Sequence, residues 1–438
     1  MRTAVVLFTR DLRVHDQPSL AAAVEAAERV LPLFVLDDGI LGTRNASPGR
    51  VAFLLASLAD VDASLRRLGG ALDVRRGDVV AETVRAARDT GSEAVFAGAD
   101  VSPYARRRER RLAAELDLRL VAGVTAVPPG EVAPAGRDHY QVFTPYWRAW
   151  REVPLGEPLP PPGRVRLPDG VEPGRVPGGP EPAWPAGEAE GRRRMERWLR
   201  DGLSRYDSAH DALAADGTSR LSPYVHLGCV SARELAQRAR EAAGAASAAR
   251  EAFVRQLCWR DFYAQLLASN PATVREDLRP RGDRWVDDGD VLARWKEGRT
   301  GYPLVDAGMR QLAAEGWLHN RARLVTASVL VKHLGIDWRQ GAAHYFDLLL
   351  DGDVAQNVGN WQWVAGTGVD TRPNRVFNPT AQAKRLDPDG AYIRRWVPEL
   401  ADLPAPQVFE PGLLAPDYPA PIVDHAEAVA AFRRRRGG

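Results

Sequence analysis

The chain is predicted to join an N-terminal α/β domain, built on a doubly wound, Rossmann-like parallel sheet, to an all-α C-terminal domain through a long linker. Three observations predict this. The first 130 residues alternate short β-branched runs with segments of helical periodicity. Residues 151–190 then hold eleven of the 33 prolines, a composition that suits an extended connector. From about residue 191 onward the pattern is helical with little strand signal. The expected boundaries are therefore an α/β domain over 1–130, a Pro/Gly-rich linker over 131–190 and a helical domain over 191–438.

Five runs read as strands: AVVLFT from Ala4, VLPLFVLD from Val30, LDVRRG from Leu72, EAVFAGAD from Glu93 and LRLVAGV from Leu118. Helical runs beginning near Pro18, Gly49, Val79 and Ala105 lie between them, the alternation of a parallel sheet. A nicotinamide-binding domain would place G-x-G-x-x-G after its first strand. Here that turn is TRDLRVHD, without a glycine, which argues against such a site. In the second half, the segments from Phe253 to Ser269, Leu304 to Gly316 and Asn320 to Gly335 are the clearest helices.

At 438 residues the chain suits two domains, and 45% apolar with 26% charged residues is ordinary for a globular protein. The net charge of +2 does not announce a nucleic-acid binder, although arginine greatly outnumbers lysine. The two cysteines, Cys229 and Cys258, can neither ligate an iron–sulfur cluster nor make a disulfide framework. No secretory h-region and no apolar run of membrane-spanning length is present, so a cytoplasmic location, without membrane attachment, is expected. No constellation of metal ligands, nucleophile or general acid stands out, and no metal is expected.

Four segments carry candidate chemistry. DGTSRLSPYVHLG places the hydroxyls of Thr218, Ser219 and Ser222 and the side chain of Arg220 at a helix start. Ser222 as N-cap with Pro223 at N1 is one reading, and a phosphate cradle is the other. In RQLCWRDFY, helical spacing puts Gln256, Trp259, Arg260 and Tyr263 on one side, a set that can either pack in a core or stack on a base and read its edge. HNRARL supplies Asn320, Arg321, Arg323 and Leu324; its arginines can meet phosphates, pair with carboxylates such as Asp351, or simply face solvent. DGDVAQNVGNWQW sets Asp351, Gly352, Asp353 and Asn357 just ahead of Trp361 and Trp363. Eight of the twelve tryptophans fall between Trp259 and Trp396.

With GYPLVDAGMRQL, DWRQG and RVFNP, these segments resemble in order and spacing the DNA photolyase/cryptochrome flavoproteins, and closest among them the enzymes that repair cyclobutane pyrimidine dimers. The opening VVLFTRDLRVHDQPSL also resembles the family's first strand and loop, so the resemblance covers nearly the whole chain. It implies a folded FAD in the helical domain, with Tyr206 and the segment Thr218, Ser219, Arg220, Leu221, Ser222 at phosphates and ribitol. Asp351, Gly352 and Asp353 would border the ribityl and ring side, with Arg323 paired to Asp351 and Asn357 facing flavin N5. Trp361, Trp338 and Trp285 match the family's electron relay.

The resemblance further implies light-driven repair of pyrimidine dimers in DNA, by electron transfer from photoexcited reduced FAD to a lesion flipped out of the duplex. His210, Gln256, Trp259, Arg260, Tyr263, Asn320, Arg321, Leu324, Trp363 and Gln382 match positions that meet DNA or the lesion. Two of these depart from the cyclobutane-repair pattern: Gln256 stands for a glutamate and Leu324 for a methionine. His210 further replaces an arginine, and LHNRARL lacks the histidine pair of (6-4) repair. A cryptochrome-like photoreceptor with little or no repair is the alternative. Arg50 and Asp100 match an antenna pocket closer to that of deazaflavin-binding members, so 8-hydroxy-5-deazaflavin is preferred over methenyltetrahydrofolate. A monomer is expected.

Overall fold

The computed structural model describes residues 1–43 and 46–436. Contacts divide the chain into two compact units, Met1–Ser204 with Ser219–Pro271, and Arg205–Thr218 with Ala272–Gly438. Residues 219–271 thus group with the sheet, whereas a boundary read from composition puts them with the helices.

In the first unit, β1 (Thr3–Leu7), β2 (Arg29–Asp37), β3 (Asp73–Gly77), β4 (Ala94–Gly98) and β5 (Leu118–Val121) form one sheet in the order β3-β2-β1-β4-β5. Every pairing is parallel, with registers such as Val5↔Leu31, Val5↔Val95, Phe34↔Val74 and Phe96↔Arg119. All residues of β1 and β4 are buried, as expected of central strands covered on both faces. The chain winds one way from β1 to β2 and β3 and the other way to β4 and β5, so the switch point lies between β1 and β4. The strands agree with the sequence reading to within three residues at either end.

Local chemistry fixes the covering helices. Pro18–Ala26, Pro48–Arg67 and Pro103–Glu115 each start with proline after a side chain, Gln17, Ser47 or Ser102, that accepts from a backbone N–H of the first turn. Asp78 caps Val79–Thr90 in the same way. The proline-rich connector holds no helix or strand over residues 151–186. It lies against the sheet unit, where the Val30 amide donates to the Arg166 carbonyl at 2.7 Å and the Val165 amide to the Leu68 carbonyl at 2.8 Å.

The second unit packs helices Pro303–Glu315, Asn320–Ser328, Trp338–Leu348, Val354–Ala365 and Pro379–Leu386 around one apolar core that includes Trp295, Leu312, Val325, Leu330, Trp338 and Trp361. A single helix over 320–335, expected from periodicity, is not what forms. After Ser328 it widens into a π turn, Val329–His333, and ends at Gly335 with φ +70°. That turn buries both Lys332 and His333.

Candidate functional site

The segment from Asp351 to Trp363 starts as a tight turn and becomes helix Val354–Ala365. Asp353 is its N-cap, accepting from the Gln356 amide at 2.9 Å. Two residues earlier, Asp351 receives both of its hydrogen bonds from Nη2 of Arg323, at 3.1 and 2.8 Å, while Nε of Arg323 donates to the Leu318 carbonyl at 2.7 Å. Both carboxylates and Gly352 between them are buried. Asn357 donates Nδ2 to the Ala342 carbonyl at 2.9 Å, and its Oδ1 has no hydrogen-bond partner. Gln362, by contrast, serves the backbone: it accepts from the Leu278 amide at 2.8 Å and donates to the carbonyls of Thr273 and Glu276.

Trp361 is buried against Tyr345 and Trp295, with ring centroids 5.0 and 6.1 Å away and both contacts edge-on. Glycine at 341 is obligatory here, because a Cβ would sit 2.2 Å from the Trp361 ring. Trp338, also buried, donates Nε1 to Asp277 at 2.8 Å and carries the Arg339 guanidinium over its face at 4.6 Å. Trp285 is half-buried and packs on the same core. The three indoles therefore belong to one apolar cluster, Trp361 and Trp338 buried in it and Trp285 half-buried against it. Trp363, half-buried, holds the Arg375 guanidinium 5.1 Å from its centroid, and Phe377 lies 5.0 Å from the same guanidinium.

In the segment Arg205–Thr218 of this unit, His210 contacts the Tyr206 carbonyl through Nδ1 at 2.7 Å and Asp211 through Nε2 at 3.2 Å. Burial lifts the Tyr206 phenol to about 12. Asp211 collects Arg321 and, at 3.1 Å, Arg385, and these partners hold its carboxyl below the usual range despite burial. Arg321 is thus paired with a carboxylate that the sequence reading did not single out; Asp211 lay beside His210 with no distinguishing pattern. Thr218 Oγ1 is buried with no hydrogen-bond partner. Asn320 is exposed at a helix start capped by His319. Leu324 packs on the core, and Gln382 accepts from Arg385 at 3.0 Å.

The other predicted residues lie in the first unit. Ser219 accepts from the Leu221 amide at 3.3 Å, and Arg220, at φ 49°, stacks over Trp184 at 5.5 Å. Ser222 is not an N-cap: the cap position falls on Leu221, in αR, with no side-chain cap bond, because the turn at Arg220 brings the chain in already helical. The helix that follows, Ser222–His226, has only five residues, too few to supply much dipole.

On helix Ser247–Ser269, Gln256 is exposed and Trp259 half-buried, stacked on Phe143 at 3.6 Å and 5°. Tyr263 is buried and Arg260 donates to the Val124 carbonyl at 2.6 Å, so the four do not present one open face. The helix is covered on most of its circumference, including a buried Asp261 that burial raises to about 6 and that accepts from Val127 and Trp150.

At the end of β4, Asp100 Oδ1 caps the turn into the next helix by accepting from Val101 and Ser102, and Oδ2 accepts from Arg10 at 3.3 Å. Near it the sequence reading missed Arg108, whose Nε and Nη2 are buried without hydrogen bonds, and Thr9, whose Oγ1 is likewise unanswered. Arg50 is half-buried in the first turn of Pro48–Arg67.

In the second unit, a paired buried Asp351, an unanswered buried hydroxyl at Thr218 and a spare amide oxygen at Asn357 are donors and acceptors suited to a polyhydroxylated, heteroaromatic cofactor. Among the described residues, no group of three or more His, Cys, Asp or Glu could hold a metal ion, and no helix is long and apolar enough to cross a membrane.

A doubly wound sheet unit and a helical unit with this polar segment define a two-part protein of the flavin-binding kind. Two family patterns match the chain: the DNA photolyase pattern over residues 4–163 and the FAD binding domain of DNA photolyase over residues 253–437. A deoxyribodipyrimidine photo-lyase of Streptomyces griseus is 51% identical over the whole of both chains. The solved class III photolyase of Agrobacterium tumefaciens superposes with a TM-score of 0.92 at 30% identity, over 100% of this chain and 97% of that one. A Synechocystis sp. PCC6803 cryptochrome has the same TM-score at 28% identity, covering 99% of each chain. The chain belongs to the DNA photolyase/cryptochrome family.

Proposed function

We propose that the protein is a light-driven lyase that repairs pyrimidine dimers in DNA, most simply the cyclobutane type. The observation that carries this reading is the single stretch Asp351–Trp363, in which the Arg323-paired carboxylate, Asp353, Asn357, Trp361 and Trp363 follow one another on one turn and one helix. Asp351, Asp353, Asn357 and Arg323, with Tyr206 and the hydroxyl of Thr218, would hold FAD. FAD, when bound in its reduced form and excited by blue light, supplies the electron that opens the cyclobutane ring.

The residues of this chain bind, orient and wire. Asn357 offers a neutral amide to the ring edge, which adds no charge there. The buried walls around Trp361 exclude water, and Trp361, Trp338 and Trp285 form a file of oxidisable rings from core to surface. The Asp277 carboxylate on the Trp338 N–H favours positive charge at that second ring. Trp363, with Arg375 over its face, stacks on the extruded lesion, because a dimer stacks poorly in the duplex and is cheap to flip. Gln256, exposed and neutral, reads a base edge without the charge a glutamate would bring. For the first unit the reading is a deazaflavin antenna at Asp100 and Arg50, near the Arg108 Nε and Nη2 that no hydrogen bond occupies.

Gln256 and Leu324 favour a second reading, a blue-light receptor without repair. The test is one assay: FAD-loaded, reduced protein is illuminated with a duplex carrying a single cyclobutane thymine dimer. Restoration of the intact thymines supports the lyase; an intact dimer with full FAD loading favours the receptor.

A further inference from the structure

The lesion-facing wall hangs on a loop. Arg375 lies over Trp363 and Phe377, yet it is exposed and sits in residues 366–378, which hold no helix or strand. A guanidinium in such a loop swings through many rotamers unless its backbone is fixed. Two buried cations do the fixing. Lys332, in the π turn, is 2% exposed, and its Nζ donates to the carbonyls of Pro373 at 2.9 Å and Arg375 at 2.6 Å. Arg436, at the end of helix His425–Arg435, donates through Nη1 to the Pro373 carbonyl and the Asn374 side chain, both at 3.2 Å, and through Nη2 to the Ala365 carbonyl. Asp283 accepts from Nε and Nη2 of Arg436 and sets the angle of the fork. The neighbouring Arg435 donates to the carbonyl of Lys332 itself, at 3.1 Å, so helix and π turn are tied together.

A purely structural explanation meets two difficulties. The chain has three lysines against 56 arginines (59 − 3), yet a lysine occupies this interior. Burial, with Arg436 as the next cause, pulls the amine down to about 7, so its place is held against an electrostatic penalty that an apolar residue would avoid. A compact ammonium can meet two carbonyls of one turn, where a planar fork would overreach. All the hydrogen bonds of this amine go to the one loop that carries Arg375.

We propose that Lys332 and Arg436 are positioning residues for lesion binding, which hold the loop Pro373–Arg375 so that the Arg375 guanidinium stays over Trp363. Arg435 and Arg436 are then a clasp behind the substrate wall. This rests on Trp363 stacking on the lesion.

The experiment measures affinity of FAD-loaded protein for a labelled duplex with one cyclobutane thymine dimer and for its undamaged counterpart. Lys332→Met and Arg436→Gln are compared with wild type, alone and combined with Arg375→Ala. Lys332→Met removes a buried charge and keeps volume, so it folds even where Arg436→Gln, which strands Asp283, proves unstable. We expect each single variant to weaken dimer binding about threefold to tenfold. Undamaged-duplex affinity and FAD content stay at wild-type values, and no further loss appears on top of Arg375→Ala. A change in melting temperature with dimer affinity intact overturns the proposal, as does a loss that adds fully to that of Arg375→Ala. A wild type that binds both duplexes equally removes the lesion-binding reading, and the clasp with it.

Discussion

Two polar stretches that each carry two aspartates, Thr9–Gln17 and Asp351–Trp363, are built to opposite ends. In the first, Arg13 is buried and its guanidinium donates to the carbonyls of Asp16, Gly123 and Gly228. Asp16 accepts from Ser231, Arg233 and the Leu159 amide, Gln17 links Asp11 to the Leu20 amide, and Glu188 holds the amides of Val14 and His15. Apart from the buried Thr9 Oγ1, the polar side chains named here are answered from within the unit. In the second stretch, Asp351 has its arginine, but Asn357 keeps an oxygen unanswered, Trp361 faces other rings and Trp363 faces the Arg375 guanidinium. A buried polar network that is complete stabilises a fold; one left partly open is where a ligand belongs.

That contrast can be broken by mutation. The largest effect is expected at Asp16→Ala, which strands Arg233 and several donors: unfolding in urea should show a loss of about 3–5 kcal/mol, with FAD per folded molecule unchanged. Loss of FAD without loss of stability would invert the comparison.

Acid sharpens it next. His319 and His333 are held at about 4, mainly by burial, and then by Arg321 and His425 respectively. In the unfolded chain each titrates near 6.5, so that state binds more protons between about pH 6.5 and 4, and stability falls as pH drops through this window. Both lie in the second unit, and at pH 5 each should cost about 2 kcal/mol against pH 7. Equal stability at pH 7 and 5 would show that both rings are protonated in the folded protein.

The smallest change tests the pocket itself. Gln256→Glu restores a carboxylate at an exposed position, so stability should move by less than about 0.5 kcal/mol while the yield of dimer repair per absorbed photon rises. An unchanged or lower yield would mean that the charge is not what limits this protein.

Much of this was legible in the sequence, for identifiable reasons. The strands announced themselves because β1 and β4 are buried on both faces and so read as unbroken apolar runs. The Arg323–Asp351 pair was expected and is formed. The N-cap reading of Ser222 fails because Arg220 takes a positive φ, which no composition signal reveals. Arg260 and Tyr263 looked like one face with Trp259, but from Asp261 to Leu267 the helix is buried all round, and Arg260 donates to the Val124 carbonyl. Asp211, Asp277, Lys332 and Arg436 draw their roles from partners more than forty residues away, and local patterning does not encode such pairings.

The most direct measurement is FAD content after reconstitution of wild type, Trp363→Ala and Asp351→Ala, each checked for folding by circular dichroism. One FAD per chain is predicted for the first two, and a marked loss for Asp351→Ala, whose removal leaves Arg323 unpaired at the cofactor. If Asp351→Ala retained FAD as fully as the wild type, the helix that begins at Val354 would not be where the flavin sits.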